Sequence, residues 1–87
     1  MDLKLTVRIN GVDATYRIQP SEWRKWEKET GKTITEAASS LGMSDLIFLA
    51  YNAAKRNGAT SLSEDDWADT LEDISTEKVD DTPKATG

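Results

Sequence analysis

The stretch SDLIFLAYNAAKRNG, residues 44–58, carries six consecutive apolar residues, Leu46 to Tyr51. Wound as a helix at about 100° per residue, Leu46, Leu49, Ala50 and Ala53 make one face. Ile47, Tyr51 and Ala54 widen that face, and Phe48 lands on the far side. A helix that packs on one side needs only a stripe. One that is apolar nearly all round must be wrapped by its own chain or covered in part by another molecule. With 87 residues the chain is one small domain, of a size that buries roughly 60–65% of the surface its unfolded form exposes.

The flanking sequence supplies candidate wrappers. LKLTVRI alternates, with Leu3, Leu5, Val7 and Ile9 on one side and Lys4, Thr6 and Arg8 on the other, the period-two mark of a strand with one wet face. Asn10-Gly11 is a strong hairpin signal, and Ala14, Tyr16 and Ile18 alternate beyond it. A lone hairpin is not stable in water, so its apolar face needs cover. SEWRKWEKETG reads as a helix capped by Ser21 and stopped by Gly31, with Trp23 and Trp26 on one side. Thr33 to Glu36 fits a capping box and opens a short helix through Ala37, Ala38 and Leu41 to Gly42. Met43 or Ser44 begins the apolar helix. Lys55 and Arg56 suit the dipole of its last turn, and Gly58 ends it. Ser63, followed by Glu64, Asp65 and Asp66, starts another helix with Trp67, Leu71 and Ile74 along one edge. TEKVDDTPKATG has no periodicity and reads as disordered. The expected fold is therefore α+β, an N-terminal β-hairpin (3–18) and short helices near 22–30, 34–41, 44–57 and 64–74, packed around the central apolar one. The compact domain is expected over 1–75, with 76–87 an acidic tail or linker.

Composition removes most chemistry. There is no cysteine and no histidine, so no disulfide, no thiolate nucleophile, and neither the commonest zinc ligand nor the commonest general base near neutral pH. Glu64, Asp65, Asp66 and Asp69 lack the alternating ligands and central glycine of a calcium loop. The glycines stand at turns and helix ends and form no phosphate-binding string. A serine nucleophile would need a lysine partner, and no SxxK motif occurs. The expectation is a protein that is not an enzyme and takes no cofactor or metal. MDLKLTVRIN has no signal-peptide core, and no run approaches the ~20 apolar residues of a membrane span, so a soluble cytoplasmic protein is expected.

Charge is unevenly placed. Residues 1–63 hold nine basic and seven acidic residues, residues 64–87 two and nine, and the net charge is −5. That balance argues against general nucleic-acid binding, although Trp23 and Trp26 beside Arg24 and Lys25 have the composition of a stacking platform. What remains is protein binding. Phe48, Tyr51, Trp67 and Leu71 are the expected protein-binding residues, on an apolar surface left over by the small core.

The order of these pieces, W…WEKETGK, then LIFLAYNAAKRNGA, then SEDDWADTLEDI, resembles the tail assembly chaperones of long-tailed, siphovirus-like bacteriophages over roughly residues 5–75. Trp26, Gly31, Leu49, Ala50, Tyr51, Ala53, Gly58, Trp67 and Ile74 stand at the matching places. The resemblance implies a non-enzymatic job: binding and solubilising the tape-measure protein and helping to recruit tail-tube subunits, as a homo-oligomer in the host cytoplasm and absent from the mature virion. It also implies a longer frameshifted form in some members. Two other classes fit the same size: a small phage or prophage regulator binding a host protein or nucleic acid, and a minor virion connector component.

Overall fold

Asn10 (φ 54°) and Gly11 (φ 75°) both adopt left-handed backbone, as a two-residue hairpin turn requires. They join β1 (Leu3–Ile9) to β2 (Val12–Arg17) in antiparallel register, with Leu5 opposite Tyr16 and Val7 opposite Ala14. The computed structural model describes residues 2–37 and 41–78. Beyond the hairpin come α1 (Pro20–Thr30), α2 (Ile34–Ala37), α3 (Met43–Arg56), α4 (Glu64–Thr70) and β3 (Asp73–Lys78). The architecture is a small α+β globule in which helices cover one face of a three-stranded sheet of order β2-β1-β3.

The pleat sorts the sheet's two faces. Leu3, Leu5 and Val7 are buried under the helices, with Ala14, Tyr16 and Ile74 packed beside them. On the opposite face Thr6 Oγ1 meets Thr15 Oγ1 at 2.8 Å and the exposed Arg8–Asp13 pair closes at 2.8 Å. The central helix α3 is wrapped along its second half: Leu49, Ala50, Ala53 and Ala54 have no exposed surface. Trp23 and Trp26 close the core from α1, their rings edge to face with centroids 5.6 Å apart.

Helix ends follow local chemistry. α1 begins at Pro20, whose fixed φ and missing N–H suit a first position. Gln19 is its N-cap residue, and the Gln19 N–H donates to Glu22 Oε1 at 2.9 Å. The expected Ser21 cap is thus displaced by two residues, and Ser21 Oγ instead donates to Glu22 Oε2. Gly31 (φ 75°) stops α1. α3 starts at Met43, with the Gly42 N–H donating to Asp45 Oδ2 at 2.8 Å. It ends in a Schellman motif, the Ala59 N–H reaching Ala54 O at 2.8 Å across left-handed Gly58. Ser63 caps α4 by accepting from the Asp66 N–H. α2 is helical to Ala37, and Leu41 lies outside it; the rest of the expected 34–41 helix, residues 38–40, lies outside the described residues.

The expected helix over 64–74 is corrected. It ends at Thr70, Leu71 turns extended (ψ 130°), and Asp73–Lys78 pairs antiparallel with β1, Val7 opposite Ile74 and Leu5 opposite Thr76. Asp69, Glu72 and Asp73 would have placed three anions at the negative end of a longer helix, which is unfavourable. The free edge of β1 offers backbone partners instead, beginning with the Glu72 N–H to Arg8 O at 2.7 Å. The compact domain therefore extends past residue 75: residues 76–78, assigned to the tail, are strand, and 79–87 lie outside the described residues.

Candidate functional site

Of the four expected binding residues, two are core. Tyr51 is 8% and Trp67 3% exposed. Their rings pack at 5.7 Å, tilted by 54°, and Tyr51 Oη donates to Leu62 O at 2.6 Å. Neither offers its ring to a partner, because the two rings pack on each other and Leu62 closes over the Tyr51 hydroxyl. Trp23 and Trp26 are buried too, at 4% and 0%, which removes the stacking platform their neighbours hinted at.

Phe48 and Leu71 are half-buried and line two clefts beside the first turns of α3. The first, about 290 Å³, is walled by Met43, Ile47, Ala68, Leu71 and Ile74 and rimmed by Glu72 and Asp73. Met43 and Ile47 are one helical turn apart and so share a face; Met43 is 59% exposed. The second cleft, about 230 Å³, has Phe48 with Glu29, Asp45 and Glu64 around it. Burial, with Asp65 and Glu29 close by, pushes the Glu64 carboxyl above its ordinary range. No lysine or arginine lines either cleft among the described residues. Sequence reasoning missed Met43, Ile47 and Ile74, although the four-residue spacing of Met43 and Ile47 was there to be read.

Two part-buried polar links anchor the two ends of α3. Trp26 Nε1 donates to Asp45 Oδ1 at 2.9 Å, tying α1 to the start of α3. Burial raises the Asp45 carboxyl, but the Gly42 N–H, the Trp26 indole and the charge of Lys32 together bring it below its ordinary range. At the far end of α3, the Glu22 carboxylate, 1% exposed as a side chain, takes Arg56 Nε at 2.9 Å and Nη2 at 3.1 Å. Burial opposes its charge; Arg56, the Gln19 N–H and the Ser21 hydroxyl outweigh burial and lower its pKa.

A larger cleft of about 610 Å³ lies where β2 meets α1, over Ile18, Pro20, Trp23 and Ile34. Its charged lining is balanced: Asp2 pairs with Arg17 at 3.2 Å, and Glu27 accepts the Ile34 N–H at 2.9 Å beside Arg24. No group of acidic side chains that could hold a metal occurs among the described residues. No described helix is long and apolar enough to cross a membrane. Comparison with protein-family models, with curated proteins and with solved structures gave no match.

Proposed function

We propose that this protein is a non-enzymatic tail assembly chaperone of a long-tailed bacteriophage. In this reading it holds an apolar length of the tape-measure protein, helps bring tail-tube subunits to it, works as an oligomer in the host cytoplasm, and is left out of the finished particle. The observation that carries the reading is the half-open apolar surface at the start of α3. Met43, Ile47, Phe48, Leu71 and Ile74 stay partly accessible while the second half of the same helix is sealed. Apolar grooves of this kind accept one face of an amphipathic helix, and the carboxylates around them keep the unoccupied surface wet. The identity of the client comes from the resemblance in the order of WEKETGK, LIFLAYNAAKRNGA and SEDDWADTLEDI.

Co-expression with the long tape-measure open reading frame tests the proposal. The expected result is a client that stays soluble and co-purifies only when this protein is present. A client that aggregates regardless, or mass spectrometry that finds this chain in purified particles, overturns it.

A further inference from the structure

The first cleft lies at the lower bound of ligand pockets, which run from roughly 300 Å³ upward. At about 290 Å³ it has room for one or two side chains of another polypeptide. Its walls come from three elements. Met43 and Ile47 stand on the first turns of α3, Ala68 and Leu71 at the end of α4, and Ile74 on β3 opposite Val7. They converge because α4 stops at Thr70 and the chain turns at once into the sheet.

Among the described residues the charged side chains that line the two clefts are all acidic, with Lys32 acting on Asp45 from outside the second. Glu72 and Asp73 form the rim, and Glu29, Asp45 and Glu64 surround Phe48 in the neighbouring cleft. Arg8 feels the charge of this rim, and its guanidinium is held by Asp13 at 2.8 Å on the other face of the sheet. Glu72 also has a structural duty, since its Oε1 accepts the Gly11 N–H at 2.9 Å. Asp73 is exposed, and among hydrogen bonds its carboxylate accepts that of the adjacent Ile74 N–H.

From this we infer that the cleft between α3, α4 and β3 docks a partner segment that inserts an apolar side chain between Met43 and Leu71 and flanks it with lysine or arginine. The inference rests on the client-holding reading above and names the chemistry of what is held. The apolar insert supplies the contact, and the flanking cations supply selectivity and speed of encounter against the acidic rim. An acidic amphipathic segment of equal hydrophobicity is rejected by the same rim.

The test uses the full chain with two synthetic probes, an amphipathic Leu/Lys peptide and its Leu/Glu counterpart, with binding followed by calorimetry at low and raised salt. The Leu/Lys peptide is expected to bind, to weaken as salt rises, and to outbind the Leu/Glu peptide at least about tenfold. Met43→Ser and Asp73→Asn should each weaken it several-fold. Val12→Ser, which removes an apolar side chain 67% exposed at the hairpin, and Glu77→Gln should leave it unchanged. Equal binding of both peptides, no binding at all, or equal loss in the Val12 and Glu77 variants overturns the inference. A tape-measure client rescued without any preference for the basic peptide sinks this inference alone. A bound Leu/Lys peptide with no client rescued sinks the chaperone reading and leaves the site.

Discussion

Removing Arg56 should damage the protein more than neutralising its partner. Among the described residues Glu22 is the one buried charged side chain, and Arg56 supplies two of its four hydrogen bonds. In Arg56→Met the carboxylate keeps the Gln19 N–H and the Ser21 hydroxyl but is left charged in a site water scarcely reaches. Breaking a buried pair from one side costs roughly 3–5 kcal/mol. The Arg56 side chain is 37% exposed, so the low end applies, about 3 kcal/mol. In Glu22→Gln the amide keeps the shape and an acceptor oxygen, and the guanidinium turns to solvent, so about 1 kcal/mol is lost. For a domain this size each kilocalorie moves Tm by roughly 4–8 °C, which separates the two variants clearly in thermal or urea unfolding. The pH dependence carries the sharper test. In the parent protein the Glu22 pKa is lowered on folding, so its contribution is complete above the ordinary carboxylate range and is lost as pH falls through the folded value. In Arg56→Met burial dominates and raises that pKa, so the penalty is full at neutral pH and shrinks as acid protonates the group. Unfolding curves from pH 7 to about pH 4 should therefore bring Arg56→Met back toward the parent. Equal losses in the two variants at pH 7, or a gap that ignores pH, would refute the reasoning.

Other perturbations have equally definite outcomes. Trp26→Phe removes the donor to Asp45 Oδ1 and indole volume from a site with no exposure, so urea unfolding should show a loss of about 2–3 kcal/mol. Trp23→Phe should cost less, because Trp23 Nε1 is buried with no partner among the described residues and its removal relieves that burden. Glu64→Gln should stabilise slightly at neutral pH and not in acid: the raised folded pKa of Glu64 means its folded form is favoured at low pH and disfavoured as pH rises through it. Ile74→Ala trims the β3 side chain that packs opposite Val7 against the core. Amide exchange should then rise along both β3 and the facing edge of β1, whereas a protected β1 edge would show that β3 adds nothing to the sheet.

What could be read without the structure is what neighbours in sequence decide. The Asn10-Gly11 turn, the alternation of β1, the Gly31 and Gly58 stops and the Ser63 cap each depend on a few adjacent residues, and each stands where it was expected. The misplacement of the α1 start is of the same local kind, since Ser21 was read as the cap and Pro20 is the helix's first residue. The strand β3 was hidden because its partner β1 lies at the other end of the chain. DISTEK carries its β-branched residues only at Ile74 and Thr76, too short an alternation to outweigh an apolar edge continued from Trp67 and Leu71. Nothing in the spacing of α1 marks Glu22 for burial, because its partner Arg56 lies 34 residues away. The same distance effect divided the expected binding residues. Spacing put Phe48 on the far side of its helix, Tyr51 at the margin of the apolar face, and Trp67 and Leu71 along one apolar edge, but only the fold could decide which stayed accessible. Tyr51 and Trp67 were sealed against each other between α3 and α4, whereas Leu71 was left at a cleft wall because α4 stops one turn short and its successor joins the sheet, and Phe48 at another between α1 and the start of α3. Local propensity is a property of a segment; burial is a property of everything that packs against it.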